Sequence, residues 1–213
     1  EEMPKLIRLF TRASMKSKAA AVEFAKKISE SDDLSRQVIS SLPLNLPKEN
    51  LCIVYESLIP NIDAASSLVQ EEFYIAASEL IRGPQYEKVC NLLKNESSSI
   101  AFADKHGIFT MLIHLIDSTD NQHMLISFIS LMFNYIRRTG NPIFCSSTTR
   151  LMELLRSNDN QLAPISFSCL VLLSKFRPQG LNVEVLERSA AIFTKTMTGT
   201  VQALATIYLS RNK

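Results

Sequence analysis

Apolar residues along this chain recur at helical spacing, and the segment 120–138 shows the pattern most clearly. Its apolar positions are separated by steps of three, four and one, which places them on one face of an α-helix. They are Met124, Leu125, Phe128, Ile129, Met132, Phe133 and Ile136. Gly140 and Pro142 follow and predict where this helix ends. A shorter amphipathic helix opened by Gly107 precedes it, so we expect the two helices to form a hairpin.

Helical periodicity also covers most of the remaining chain. It predicts helices at about 4–13, 17–30, 32–41, 47–58, 61–82, 84–95, 147–156, 162–177, 183–197 and 200–211. Thr119 and Gln122 have the spacing of a capping box for the helix that follows them. Pro164 lacks a backbone N–H, so its helix is predicted to start near Leu162 and not at Asp159. No strand-like alternation interrupts this pattern, and the sequence predicts an all-α protein.

The sequence repeats itself with a period of 39 residues. Residues 112–122 align with residues 151–161, and both segments end in Asp-Asn-Gln. The register continues into the next helix, where Phe128 aligns with Phe167. A further step of 39 maps the apolar residues Leu162, Ile165 and Leu170 onto Val201, Leu204 and Leu209. Each copy reads as a short helix, a turn and a long helix.

Repeats of about 40 residues built from helix pairs are typical of armadillo and HEAT units, which bury their apolar faces by stacking on neighbours. The sequence therefore predicts a right-handed armadillo/HEAT-like α-solenoid of about five helical repeats. We expect a single armadillo-like domain over 1–213, with degenerate repeats in 1–100 and clearer repeats in 101–213. The absence of an initiator Met and a helical pattern that continues to Lys213 suggest an excerpt of a larger protein.

Composition and charge narrow the class of protein further. The chain is 46% hydrophobic and 21% charged, and its 23 Lys and Arg nearly balance 21 Asp and Glu. This balance lacks the strong positive charge of a dedicated nucleic-acid-binding domain. Four widely spaced cysteines without a CxxC pair indicate reduced thiols in a cytosolic protein. They are Cys52, Cys90, Cys145 and Cys169. No segment reaches the length of a membrane span, so we expect a soluble cytoplasmic protein.

The chain contains none of the usual catalytic or nucleotide-binding motifs. A GxGxxG fingerprint, a P-loop, a GxSxG elbow and an HExxH motif are all absent. The histidines His106, His114 and His123 lack the convergent spacing of a metal site. Paired carboxylates such as Asp32-Asp33 read as solvated residues near helix starts. We therefore predict no enzyme activity, no metal and no cofactor.

A protein partner is the remaining expectation. In an armadillo solenoid the last helix of each unit lines a concave face, and polar residues on these helices are candidates for partner binding. The candidates are Ser130, Asn134, Arg137, Arg138, Ser174, Lys175 and Gln202. For Arg137 and Arg138 a second interpretation stays open, because basic residues are favoured near a helix C-terminus whether or not they bind anything.

The C-terminal half resembles a known family in four segments. These segments are LMELL at 151–155, FSCLVLLSK at 167–175, LERSAAIF at 186–193 and VQALATIYLS at 201–210. They are similar to the central armadillo region of the UCS family of myosin chaperones, in particular its divergent fungal members, over about residues 70–213. The resemblance implies a non-enzymatic scaffold that helps the myosin motor domain to fold and supports actomyosin function. It carries over no myosin-binding residue.

The implied partners are the myosin heavy chain and the chaperones Hsp90 or Hsp70, with no nucleic acid and no membrane. An alternative remains open, in which the chain is another armadillo-like adaptor, such as an Hsp70 exchange factor or a trafficking or cytoskeletal scaffold. Binding to Hsp70 without binding to myosin would favour that alternative.

Overall fold

The computed structural model describes residues 12, 17–30, 77, 80–84, 86–95, 104–105 and 107–211. Over these residues the protein is all-α and contains no β-strand. The helices predicted at 32–41 and 47–58, nearly all of the one at 4–13, and most of the one at 61–82 lie outside the described residues. The all-α prediction is confirmed for the part of the chain that the structure covers.

The described α-helices are α1 (Lys18–Ser29), α2 (Tyr86–Asn95), α3 (Ile108–Ser118), α4 (Gln122–Thr139), α5 (Thr148–Leu154), α6 (Leu162–Ser174), α7 (Val183–Thr196) and α8 (Gly199–Arg211). A 3-10 helix, Pro142–Ser147, lies between α4 and α5. Each lies within a few residues of a predicted helix. The largest difference at a C-terminus is in α6, which ends at Ser174 instead of residue 177. Pro178 disfavours the right-handed helical conformation in the residue before it, and Arg177 adopts a φ of +49°.

The chain divides into two compact units, Glu1–Ile108 and Phe109–Lys213. In the first unit, α1 buries Phe24 and α2 buries Val89 and Leu93. The second unit contains nearly all of α3 and everything that follows it. The expectation of one domain over 1–213 stays a prediction.

The helices α3 and α4 form the expected hairpin. Phe109 in the first turn of α3 packs on Tyr135 near the end of α4, with ring centroids 4.0 Å apart. This contact requires the two helices to run antiparallel. Phe144 of the 3-10 helix completes the cluster, edge-on to both rings, and all three side chains are buried.

Both ends of α4 are fixed by side-chain and backbone caps. At the start, Asn121 is the N-cap and its Oδ1 accepts from the Met124 N–H, so the capping box predicted for Thr119 and Gln122 is wrong. The backbone of Asn121 is extended, which makes Gln122 the first helical residue. At the end, Gly140 adopts φ +65° and its N–H donates to the Ile136 carbonyl, as the sequence predicts.

The second unit is layered. α6 packs against both α4 and α8, while α5 packs on α6 and α7 packs on α6 and α8. The Cys169 thiol of α6 lies 3.7 Å from the Ile129 carbonyl oxygen of α4. Phe128 and Phe167, 39 positions apart, are both fully buried. The long helices of successive repeat copies are therefore neighbours in space, and they bury equivalent residues.

The short helix α5 is tied to the end of α3 by one arginine. The Arg150 guanidinium donates to the carbonyls of Ile116 and Thr119 at 3.4 and 3.1 Å, and to Asp120 Oδ1 at 3.2 Å. The last carbonyls of a helix have no intrahelical partner, so a cation there satisfies them and complements the helix dipole. Arg150 thereby links the short helices of two successive repeat copies.

The loop between α6 and α7 approaches α5 closely at Gly180. This residue has a φ of +84°, and a Cβ there would lie 2.6 Å from Thr149 Oγ1. Because strain and a clash would add, we expect Gly180→Ala to lower the free energy of unfolding by about 2–3 kcal/mol in urea denaturation. Adding Thr149→Ala should recover the part of the stability loss that comes from the clash with Thr149. The part that comes from the strained backbone at position 180 should remain. Strict additivity of the two changes would contradict the close approach.

Candidate protein-binding groove

The C-terminal halves of α4, α6 and α8 line a hollow of about 500 Å³ that is open to solvent. Its apolar floor comes from all three helices, and consists of Ile136, Val171, Leu172, Leu204 and Ile207. Ile207 is 44% exposed, although it is a large apolar residue. Arg137 in the last turn of α4, Arg211 in the last turn of α8 and Lys175, the C-cap residue of α6, also line the hollow. The arrangement combines an apolar floor with a cationic side.

A second hollow of about 360 Å³ adjoins the first. The two share Ser174 and Tyr208 among their lining residues, and the second adds Arg177, Pro178, Leu181 and Val183. We call the two hollows together the groove. Because the floor comes from three neighbouring helices, the groove exists only where the long helices are packed side by side.

Two of the cationic side chains are positioned by neutral neighbours. The Arg137 guanidinium lies 5.8 Å from the centroid of the Phe133 ring and donates to Asn134 Oδ1 at 3.4 Å. The Lys175 ammonium lies 4.6 Å from the centroid of the Phe176 ring. Such contacts orient a cation without neutralising it.

Lys175 also lies against the end of the neighbouring helix. A Cβ at Gly140 would be 3.4 Å from Lys175 Nζ, which is an ordinary contact distance. The ammonium is therefore close to the C-terminus of α4, where the helix dipole favours a positive charge. Part of the cationic character of the groove thus has a structural role.

The structure brings three of the seven predicted partner-binding residues into the groove, namely Arg137, Ser174 and Lys175. The other four do not line it. Asn134 donates to the Ser130 carbonyl at 3.1 Å, so this pair supports Arg137 from within α4. Arg138 is exposed. Gln202 donates to the Thr194 carbonyl of α7 at 3.1 Å.

Arg177, Tyr208 and Arg211 also line the groove, and none of them is among the predicted residues. One signal could have identified Arg211. Arg211 follows Lys175 by 36 residues, and Lys175 follows Arg137 by 38 residues, so the three cations recur at nearly the repeat period. No comparable signal marks Tyr208, which is buried on α8 and reaches both hollows.

The lining of the groove contains no carboxylate, imidazole or thiol, because none of its residues is Asp, Glu, His or Cys. Among the residues that the structure describes, no group of three or more His, Cys, Asp or Glu could hold a metal ion. Within the same residues, no helix combines the length and hydropathy that crossing a bilayer requires. Cations beside an apolar surface are a combination that can bind an acidic or amphipathic ligand.

The described cysteines, Cys90, Cys145 and Cys169, are free thiols. Burial raises the pKa of Cys90 to about 12 and also raises the pKa values of Cys145 and Cys169. A raised pKa lowers the thiolate fraction near neutral pH, and only the thiolate reacts with thiol reagents. Cys52 lies outside the described residues.

We expect a thiol reagent at pH 8 to label Cys145, which is partly exposed, before Cys90 and Cys169, which are buried. Peptide mapping by mass spectrometry reads each cysteine separately, and labelling in denaturant gives the reference rate. Native labelling of Cys169 as fast as that of Cys145 would contradict its placement between α4 and α6.

Comparison with known proteins gives fold information alone. No protein-family model matches the sequence, and no curated protein matches it. A crystal structure of an engineered protein from the Northeast Structural Genomics Consortium is similar, with a TM-score of 0.60 at 16% sequence identity. The match covers 99% of this chain and 96% of that chain. At this identity the likeness concerns the path of the chain and carries nothing about function.

Proposed function

We propose that this chain is a non-enzymatic, protein-binding α-solenoid of armadillo type. The proposal rests on one observation, which is the groove built by α4, α6 and α8. These three helices are the long helices of successive copies of the sequence repeat, and α6 packs against the other two. Stacked helical units with one continuous binding face are the usual means by which solenoids capture partners. An open, mixed polar and apolar groove suits a polypeptide better than it suits a small molecule, which requires an enclosed pocket.

Within this class we propose the central region of a UCS-type chaperone, which acts in the cytoplasm on the myosin motor domain. The four segments that resemble this family support the proposal, and they include residues 201–210 of α8 and most of α6. The groove lies on these two helices and α4. Hsp90 or Hsp70 would be the further partners of such a chaperone.

Co-purification tests this function. The full-length protein that contains this chain should retain myosin heavy chain in a pull-down from a cell extract, and the retained myosin should be identified by mass spectrometry. Reconstitution with a purified myosin motor domain then separates direct from indirect binding. Retention of Hsp70 without myosin would favour the exchange-factor alternative over the myosin chaperone. If neither Hsp70 nor myosin is retained, both of these functions are rejected.

A further inference from the structure

We infer that the groove binds an acidic, extended segment of the partner protein, in which carboxylates alternate with apolar side chains. This inference deepens the proposed function and rests on it, because it assigns a chemistry to the partner of the same groove. Four cations, Arg137, Lys175, Arg177 and Arg211, line the groove, and none of its lining residues is acidic. An occupant must supply the missing negative charge.

The charge of the groove is concentrated relative to the rest of the chain. Residues 109–213 contain ten Lys and Arg, and four of these ten line the groove. Elsewhere in the same unit, Arg150 pairs with Asp120 and Glu153, and Arg188 lies 3.9 Å from Glu184. Within the described part of this unit, none of the groove cations has a carboxylate within ion-pair distance. Their charge is therefore available to a partner.

The helix ends offset only part of this charge. Three helices end at the groove, and each C-terminus carries the equivalent of about −0.5 elementary charge, or about −1.5 in total. Four cations therefore leave a surplus of about +2.5. Helix capping alone explains one cation for each helix end, and it does not explain Arg177, which lies beyond the end of α6.

The geometry indicates an extended segment. Neighbouring helices pack about 8–10 Å apart, so the three helices span about 16–20 Å between the outer axes. An extended chain advances about 3.3 Å per residue, and about five or six residues would cross this distance. Successive side chains of such a segment point to opposite faces, so apolar residues can contact the floor while carboxylates reach the cations at its side.

A direct binding experiment tests the inference. The probes are three fluorescently labelled eight-residue peptides with alternating Leu and Glu, Leu and Gln, or Leu and Lys, and binding to the full chain is followed by anisotropy. We expect the Glu peptide to bind at least about tenfold more tightly than the Gln peptide, the Lys peptide to bind most weakly, and added salt to reduce the difference.

Substitutions assign the binding to the groove. Arg137→Glu and Lys175→Glu should each weaken binding of the Glu peptide by about tenfold or more, because each change reverses a charge beside the segment. The matched control is Arg188→Glu on α7, which makes the same charge change outside the groove and should leave the affinity within about twofold. Equal losses in all three variants would overturn the inference.

A second variant excludes loss of folding as the cause. Arg177 has φ +49°, a conformation that glycine adopts more readily. Arg177→Gly therefore removes a groove cation without destabilising the fold, and we expect weaker binding of about threefold or more with an unchanged or higher unfolding midpoint. Unchanged binding in Arg177→Gly together with unchanged binding in Arg137→Glu would overturn the inference.

Two further outcomes separate this inference from the proposed function. If the full-length protein retains myosin but the Glu peptide binds no better than the Gln peptide, the inference fails and the scaffold proposal stands. If the Glu peptide binds in the groove but no myosin is retained, the inference stands for a different partner. Tighter binding of a single-stranded RNA oligonucleotide than of the Glu peptide would overturn the inference in favour of a nucleic acid.

Discussion

Replacing Phe167 with alanine is expected to lower the free energy of unfolding by roughly 3–5 kcal/mol. This side chain is fully buried in α6, the middle of the three long helices, and meets the Phe193 ring edge-on with centroids 5.0 Å apart. The substitution removes the buried ring and leaves a cavity that close-packed neighbours fill only in part. Phe128→Ala in α4 should have a cost of the same size, because Phe128 is the equivalent residue of the preceding repeat copy and is also fully buried.

Urea denaturation followed by far-ultraviolet circular dichroism measures both changes. The control is Ile192→Ala, which removes an apolar side chain that is 56% exposed on α7 and should change the stability by less than about 0.5 kcal/mol. If Phe128→Ala and Phe167→Ala are both tolerated as well as Ile192→Ala, the register of the repeat is wrong and the layered packing with it.

The second large effect is expected at Phe144, where alanine should cost about 3–5 kcal/mol. Its ring packs edge-on against Tyr135 at 5.7 Å and against Phe109 at 6.2 Å, so one side chain of the 3-10 helix joins α3 to α4. The cluster is also held by a hydrogen bond of 3.1 Å from Asn141 Nδ2 to the Tyr135 hydroxyl. Loss of the Phe144 ring would remove two aromatic contacts together with the buried area.

Phe144→Leu separates these contributions. Leucine keeps most of the buried volume but none of the edge-on ring contacts, so we expect a loss of about 1–2 kcal/mol, well below that of alanine. The near-ultraviolet circular dichroism of tyrosine should weaken in both variants, because Tyr135 loses its asymmetric neighbour. Equal losses for leucine and alanine would mean that burial contributes little at this position.

Much of the fold could be predicted from the sequence, because apolar periodicity and breaker residues both carry physical signals. Pro164 lies at the third residue of α6, where a missing N–H is harmless, and Leu162 is indeed the first residue of this helix. Gly107 and Gly140 adopt positive φ at the bends where the sequence places them. These positions are predictable because each depends on one residue and its immediate neighbours.

The residues that cap the helix N-termini were less predictable, because several neighbouring polar residues can accept from the same first-turn N–H groups. Asp-Asn-Gln occurs in both copies of the repeat, but different members act as the cap. Asn121 is the N-cap of α4 and its side chain makes the capping hydrogen bond. The N-cap of α6 is Gln161, whose side chain makes none, and Asp159 Oδ1 instead accepts from the N–H groups of Gln161 and Leu162, both at 2.8 Å. These hydrogen bonds also lower the pKa of Asp159. The choice depends on backbone conformation, which the sequence pattern does not specify.

The groove was only partly predictable because the repeat period is not constant. The long helices α4 and α6 begin 40 residues apart, but α6 and α8 begin only 37 apart. With a fixed period of 39, the position equivalent to Lys175 in the next copy would be 214, beyond the last residue, Lys213. A search at this period therefore does not find Arg211. Arg177 joins the groove from the loop after α6, where it adopts a φ of +49°, and the helical pattern gives no sign of it.

Hydrogen exchange followed by mass spectrometry, with and without the alternating Leu and Glu peptide, tests most directly whether the stacked long helices form a docking groove. At saturating peptide, we expect slower exchange in the segments around Arg137, Lys175 and Arg211, at the ends of α4, α6 and α8, with little change in the middle of α7. Protection confined to other segments, or none at any of the three helix ends, would contradict it.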